Sequence, residues 1–291
     1  MANLKEIRNR IASVKSTKQI TSAMKMVSAS KLRKAQDAVV RLRPYANKMH
    51  EIIEHISASG DVSDANVYTK AREPKKILLV VVTSNKGLCG AFNSNVVKQA
   101  INLINNEYKA QYHTGNLEIL AIGKKAEDIF KSKSYKIARN ENQIYNNLTF
   151  ATAKVIADSL MNDFVSAKYD RIDLIYNRFK NAASQNLTVE QYLPVKPAET
   201  NKKIKHDYIF EPYREHIIDT LLPDSLRTQL YSAIIDSNAA EHGARMTAMH
   251  QATDNATEMI KSLTLNYNKA RQASITNEIL EIVAGATALQ G

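Results

Sequence analysis

The sequence predicts an α/β fold in which long N- and C-terminal helices form an antiparallel coiled coil, with an α/β domain inserted between them. Two observations lead to this prediction. Apolar residues recur every three or four positions near both ends of the chain, which is the pattern of a helical packing seam. In the middle, short β-branched runs alternate with helical segments, as in layered α/β domains. The predicted parts are an N-terminal helix over residues 1–58, an α/β domain over 70–210 and a C-terminal helix over 212–291.

The N-terminal helix is predicted to run from Asn3 to about Ser57. Its apolar residues at helical spacing are Leu4, Ile7, Ile11, Val14, Leu32, Ala35, Val39, Leu42, Ala46, Met49, Ile53 and Ile56. A helix this long cannot bury its seam alone, because most helical stability comes from packing an apolar face. The two terminal helices are therefore expected to pack on each other.

The same helix carries nearly all of the chain's net charge of +11. Between Met1 and Lys48 there are twelve Lys or Arg and two acidic residues, a net charge of +10. Such a stripe is typical of a solvated face, a nucleic-acid site or a track for acidic protein loops. The segment has no aromatic residue before Tyr45 that could stack on bases, which counts against nucleic acid. Periodicity alone does not choose among the three interpretations.

The middle of the chain predicts a Rossmann-like α/β domain. Strands are predicted at Lys76–Thr83, Leu117–Ile122, 172–176 and 187–193, and helices at Ser94–Tyr112 and Phe150–Lys168. The first two strands are continuous apolar runs, which is typical of strands covered on both faces. The Pro- and Lys-rich stretch from Pro194 to His206 is expected to be a loop.

Within the C-terminal part, the periodic helical segment is predicted to begin at Pro223-Asp224, because Asp at a helix N-terminus accepts free amide protons. Alanines at four-residue spacing from Ala240 to Ala256 would let another backbone approach closely. The seam is expected to end with Ile275, Ile279, Ile282, Ala286 and Leu289. Gly243 inside this helix costs about 1 kcal/mol relative to Ala, and nothing in the sequence explains it.

The sequence contains little that would support catalysis. The loop Ser84–Phe92 follows the first strand, where α/β folds place ligands, but neither a P-loop nor a G-x-G-x-x-G motif occurs. Cys89, the single cysteine, is better explained as a partly buried thiol in a glycine-bearing turn than as a nucleophile. The histidines lack metal-ligand spacing, and the longest aliphatic run, Ile77–Val82, is too short to span a bilayer. No cofactor, metal site, disulfide or leader sequence is therefore expected.

Several blocks, in the same order along nearly the whole chain, closely resemble the ATP synthase gamma subunit family. They are Ile7–Val14, Gln19–Val27, Ala29–Arg33, Ser84–Asn93, Asp207–Pro212, Ala244–Met249 and Tyr267–Thr276. The resemblance implies a rotating central shaft that couples proton flow to ATP synthesis and hydrolysis, and that has no active site of its own. The alternatives that the residues leave open are an α/β enzyme with a coiled-coil arm and a nucleic-acid-binding coiled coil.

The resemblance also implies partners and contact residues. The partners would be the ATP synthase alpha, beta, epsilon and delta subunits and the membrane c-ring, with neither nucleic acid nor a membrane span, at the cytoplasmic face of a bacterial plasma membrane. Contacts with the ring of alpha and beta subunits are expected from Met24, Lys25, Arg33, Arg245, Arg271, Gln272 and Thr276. Contacts with the c-ring and epsilon are expected from Tyr208, Phe210 and Glu211. The basic stripe would suit acidic loops that bind and release at each step, because exposed ion pairs are worth only about 0–1 kcal/mol.

Overall fold

The computed structural model describes residues 4–58, 67–195 and 214–289. Its helices are α1 (Leu4–Ala58), α2 (Phe92–Asn106), α3 (Lys109–His113), α4 (Lys124–Ser132), α5 (Phe150–Val165) and α6 (Arg214–Leu289), with a 3₁₀ turn at Asn142–Asn146. Its strands are β1 (Ile77–Val82), β2 (Leu117–Ile122), β3 (Ile137–Asn140), β4 (Arg171–Phe179) and β5 (Gln185–Leu193). The predicted α/β fold with two long terminal helices is confirmed.

The chain divides into two compact units, and each is described by itself. The smaller unit consists of Met1–Ser28 with Met246–Gly291, and the larger unit is Ala29–Arg245. Both long helices therefore contribute to both units. The three domain boundaries expected from the sequence stay a prediction.

The five strands of the larger unit form one sheet in the order β3-β2-β1-β4-β5. β1 pairs in parallel with β2 and β4, β2 pairs in parallel with β3, and β5 is antiparallel to β4. Every residue of β1 is buried, because its alternate side chains enter different cores. Leu78, Val80 and Val82 pack with residues of α5 and α6, and Ile77, Leu79 and Val81 pack with residues of α2 and α4. The continuous apolar run of this strand thus reflects cover on both faces.

Two of the predicted helices differ clearly from the structure. The helix expected over Ser94–Tyr112 is divided between α2 and α3, and Tyr108 between them donates its hydroxyl to the buried Asp173. The start of the last helix at Pro223-Asp224 is wrong, because α6 begins at Arg214 and contains Pro223. Burial of Leu222 and Leu226 on the two sides of this proline offsets its cost of about 3 kcal/mol in a helix interior.

The long helices pack on each other as predicted. In the larger unit, Ala35 and Val39 of α1 share a buried cluster with Ile235 and Ala239 of α6. In the smaller unit, Thr253 Oγ1 donates to Thr21 Oγ1 over 2.8 Å. Two residues of the alanine row, Ala240 and Ala244, pack instead with Cys89, Phe92 and Phe179.

The Arg43–Asp236 ion pair and the longer-range influence of Lys31 on Glu241 establish the direction of this packing in the larger unit. Arg43 Nη2 lies 3.3 Å from Asp236 Oδ1, whereas Lys31 acts electrostatically on Glu241. Residue numbers therefore rise along α6 as they fall along α1. The helices are antiparallel, as predicted.

The structure also explains Gly243, which the sequence left unexplained. A Cβ atom at this position would lie 3.0 Å from the carbonyl oxygen and 3.3 Å from the Cα of Ala182, in the β4–β5 connection. Both are backbone atoms, so a side chain here could be accommodated only by moving the connection. The helix keeps glycine because another segment of backbone occupies the side-chain space.

Gly285 in the same helix provides a contrast, because a Cβ there would meet nothing within 4 Å. We expect Gly285→Ala to raise the free energy of unfolding of the full chain by up to about 1 kcal/mol, through helix propensity alone. Gly243→Val should instead lower it by about 1–3 kcal/mol, the usual cost of overpacking. Urea unfolding of both variants measures the difference, and equal effects at the two glycines would contradict this account of Gly243.

Candidate functional site

The loop that follows β1, residues 83–91 and here called the β1 loop, has a defined conformation. Leu88 and Gly90 both have positive φ angles, of 63° and 59°. Ser84 N donates to Asn93 Oδ1 over 3.0 Å, and Asn93 Nδ2 donates to Cys89 Sγ over 3.2 Å. Cys89 is fully buried, and burial raises the pKa of its thiol. A thiol held in this way is a poor nucleophile, as expected for a cysteine in a glycine-bearing turn. Its burial is more complete than the sequence predicted.

The segment Ala240–Arg245 of α6, here called the α6 contact segment, packs against the β1 loop. Ala240 shares a buried cluster with Cys89 and Phe92. Arg245 Nη1 donates to Glu241 Oε1 over 2.6 Å, and its Nη2 donates to the carbonyl oxygens of Lys86, at 2.9 Å, and Gly87, at 3.3 Å. Only 8 % of Arg245 is exposed. This arginine, which the resemblance assigned to the alpha-beta ring, thus holds a loop of its own chain.

The contact segment lies at the position where a parallel α/β sheet ordinarily binds its ligand. That position is the crevice beyond the carboxyl ends of two neighbouring strands from which the chain proceeds in opposite directions, here β1 and β4. Ala240 and Ala244 of α6 pack there with Phe92 and with Phe179 at the end of β4. Asn177 Nδ2 of β4 also donates to the carbonyl oxygen of Phe92 over 3.1 Å. The protein's own helix fills the crevice, which agrees with the absence of nucleotide-binding motifs.

His242 lies in the same segment, with its Nδ1 3.5 Å from Arg245 Nη1. Burial first, and then the charges of Arg245 and Lys31, lower the pKa of His242 to about 4 from 6.5. The neutral imidazole can accept a hydrogen bond from Arg245, whereas a protonated ring would be repelled by both cations. His242 is therefore neutral in the folded protein at physiological pH.

The lowered pKa of His242 predicts acid sensitivity. The unfolded chain binds the proton at about pH 6.5 and the folded chain only at about pH 4, so this contribution to stability is complete above pH 6.5 and is lost as the pH falls to 4. We expect the wild-type chain to lose about 2–3 kcal/mol more than His242→Gln between pH 7 and pH 4. Urea unfolding at several pH values measures this. Burial raises the pKa of Glu241, but Glu241 is present in both chains and does not cause a difference between them. The same dependence of unfolding free energy on pH in the wild type and in His242→Gln would contradict the assignment to His242.

The residues expected to contact the alpha-beta ring lie on the two long helices. In the smaller unit, Met24 and Lys25 are half-buried on α1, while Arg271, Gln272 and Thr276 are exposed on α6. In the larger unit, Arg33 is exposed and Arg245 is buried. Tyr208, Phe210 and Glu211 lie outside the described residues. The stripe residues Lys18, Lys25, Lys31, Arg33 and Lys34 have no carboxylate within 4 Å among the residues that the structure describes, so their charges are available to a partner.

Exposed apolar side chains accompany these charges in the smaller unit. On α1 they are Ile20, Met26 and Val27, and on α6 they are Met259, Leu265, Ile275, Ile279, Leu280, Ile282 and Val283. The sequence assigned Ile275, Ile279 and Ile282 to the seam with α1, and that expectation is wrong, since Ile282 is 71 % exposed. Their helical spacing was a correct signal of an apolar face, but spacing does not reveal which chain covers it.

The described parts of the chain contain neither a cluster suited to a metal ion nor a helix suited to span a membrane. Within residues 4–58, 67–195 and 214–289, His, Cys, Asp and Glu side chains nowhere gather in a group of three or more suited to a metal ion. Over the same ranges, no helix combines the length and the apolar character needed to cross a membrane.

Comparison with known proteins places the chain in a family. A family model described as ATP synthase matches residues 3–289. ATP synthase gamma chains of Flavobacterium johnsoniae and Flavobacterium psychrophilum are 56 % and 55 % identical, over 100 % of this chain and of each relative.

Solved structures agree with the sequence matches. The central stalk/c-ring structure of the Tetrahymena thermophila mitochondrial ATP synthase contains a chain that is 29 % identical, with a TM-score of 0.58 over 80 % of this chain and 99 % of that chain. A rotor chain of the Euglena gracilis mitochondrial enzyme, at 23 % identity, shares the fold, with a TM-score of 0.66 over 94 % of this chain and 98 % of that chain. The chain belongs to the ATP synthase gamma chain family.

Proposed function

We propose that the chain is the central stalk of an F-type ATP synthase and turns within a ring of alpha and beta subunits as protons cross the membrane sector. Its work is mechanical: it changes the conformations of nucleotide sites that belong to the ring. Its other partners are the c-ring and the epsilon and delta subunits. It acts at the cytoplasmic face of the bacterial membrane without spanning it.

One observation carries the proposal. The family match extends from residue 3 to residue 289, so it includes the helices and the inserted domain together. The filled crevice beside β1 supports a non-catalytic role, because the α6 contact segment occupies the space that a nucleotide would need. A ligand there would have to displace Ala240 and Ala244.

The contacts with the ring follow from exposure and charge. Lys25 and Arg33 would meet acidic loops of the beta subunits, through weak pairs that break and reform at each step. Arg271, Gln272 and Thr276 would meet the ring from α6 together with Met24 from α1. A ligand-driven or torque-driven change requires contacts that differ between conformational states, and an asymmetric helical pair presents a different face to each beta subunit as it turns.

Arg245 would act on the ring indirectly. Its guanidinium holds the carbonyl oxygens of Lys86 and Gly87, and the adjoining Leu88 is 66 % exposed. The β1 loop would thus carry the contact, and Arg245 would fix the position of the loop. Tyr208, Phe210 and Glu211 are proposed as the contacts with the c-ring and epsilon, on the resemblance of Asp207–Pro212 alone.

The experiment is the native mass of the complex that copurifies with the chain, with ATP hydrolysis assayed on the isolated chain and on the complex. We expect one copy with three alpha and three beta subunits, and hydrolysis by the complex only. Hydrolysis by the isolated chain at the rate of the complex would contradict a non-catalytic role. Copurification with nucleic acid and without alpha and beta subunits would contradict the stalk.

A further inference from the structure

The turn that connects β4 and β5 is held by hydrogen bonds of Asn181. Asn181 Oδ1 accepts hydrogen bonds from the backbone amides of Ala183, at 3.0 Å, and Ser184, at 2.7 Å, and from Ser184 Oγ at 3.0 Å. The turn is closed by Asn181 N, which donates to the carbonyl oxygen of Ser184 over 3.2 Å. One asparagine side chain therefore sets the shape of the whole connection.

This β4–β5 turn meets α6 at Gly243, where the carbonyl oxygen and Cα of Ala182 occupy the side-chain space. Two residues away on either side, Glu241 and Arg245 form the pair that holds the β1 loop. Successive residues of a helix are turned by about 100°, so Gly243 lies about 200° from both Glu241 and Arg245 around the helix axis. Ala240, which packs with Cys89 of the β1 loop, lies about 60° from Gly243 on the same scale. Contacts with the two loops therefore extend around about 200° of the circumference of the same short length of α6.

Contacts spread over such an arc of a helix resist its rotation about its own axis more than a single contact does. The side chain of Arg43 ties α1 to the same edge of the sheet, because its Nη2 donates both to the carbonyl oxygen of Phe179, at 3.0 Å, and to Asp236 Oδ1, at 3.3 Å. Both long helices are thus attached to the carboxyl end of β4 within the larger unit. From this unit α6 continues as one helix to Leu289.

We propose that the β4–β5 turn and the β1 loop form a torsional clamp on α6, and that Gly243 and Asn181 are its positioning residues. The inference rests on the proposed function, since only a rotating stalk has torque to transmit. Gly243 permits the direct backbone contact, and Asn181 keeps the turn rigid enough to oppose twist. The clamp opposes rotation of α6 about its own axis against the sheet of the larger unit.

The test uses the assembled complex with its alpha-beta ring immobilised and a probe on Lys133→Cys, an exposed residue distant in sequence from both loops. Buried Cys89 should not take the label. Gly243→Leu and Asn181→Ala are compared with the wild type, and Asn186→Ala is the matched control. Asn186→Ala is the same substitution at an exposed residue of β5, and it leaves the hydrogen bonds of the turn intact. The measurement is the angular spread of the probe during each pause of ATP-driven rotation.

We expect a wider angular spread in Gly243→Leu and Asn181→Ala and the wild-type spread in Asn186→Ala, with ATP hydrolysis per complex retained. Wild-type spread in Asn181→Ala and in an assembled Gly243→Leu complex would overturn the clamp and leave the stalk function intact. If Gly243→Leu does not assemble, the comparison of Asn181→Ala with Asn186→Ala decides. A wild-type complex that hydrolyses ATP without rotating the probe would overturn the proposed function, and the clamp with it.

Discussion

A complex that carries Lys25→Glu should assemble and hydrolyse ATP while pumping fewer protons per ATP hydrolysed, because the contact at this residue is weakened about 5- to 30-fold. The change replaces an attraction of up to about 1 kcal/mol with a repulsion of similar size, a difference of about 1–2 kcal/mol. Lys25 is half-buried on α1 and has no carboxylate partner within 4 Å among the described residues. The rod itself therefore loses little when its charge is reversed.

ATP-driven proton uptake by inverted membrane vesicles, divided by the rate of ATP hydrolysis, measures this coupling. Lys98→Glu is the control, since it changes the net charge equally on an exposed residue of α2. Because surface charge contacts are screened by salt, the defect of Lys25→Glu should diminish as ionic strength rises. Full coupling at low ionic strength would remove Lys25 from the proposed set of ring contacts.

Replacing Asp173 with Ala should lower the free energy of unfolding of the full chain by about 1–3 kcal/mol, because the buried hydroxyl of Tyr108 loses its acceptor. Asp173 is 1 % exposed and lies 3.1 Å from Arg171 Nε through its Oδ1. It also accepts the hydroxyl of Tyr108. The change would leave that hydroxyl and the guanidinium without their acceptor.

Urea unfolding measures this loss, and Asp128→Ala is its matched control. Asp128 pairs with Lys125 at 3.6 Å on an exposed face of α4, so its removal should cost at most about 1 kcal/mol. Comparable losses in the two variants would show that the Tyr108–Asp173–Arg171 group does not stabilise the domain as its burial indicates.

The sequence predicts best those elements whose apolar residues form a clear local pattern. β1 and β2 were recognised because each is a continuous apolar run, and the long helices because their seams repeat over many turns. By contrast, α4 has only Ala126 and Phe130 buried in a polar stretch, and β3 buries none of its four residues fully. Neither segment has enough apolar residues for a periodic pattern, so neither was predicted.

What the sequence could not predict depends on contacts between distant residues. The need for Gly243 arises from Ala182, in a turn on another strand. The inward position of Arg245 depends on the carbonyl groups of the β1 loop, and backbone carbonyls leave no mark in a sequence. Family resemblance identified Arg245 as a notable position, while the structure alone revealed what its side chain holds.

The exposed apolar side chains near the end of α6 have a consequence for the cell. A newly made gamma chain without its partners presents Ile275, Ile279 and Ile282 to water, and exposed apolar surface of this kind favours aggregation. Surplus copies should therefore be recognised by chaperones and proteases. The surface that would seat the shaft in its complex would then also serve as a signal that limits its abundance to the number of rings ready to receive it.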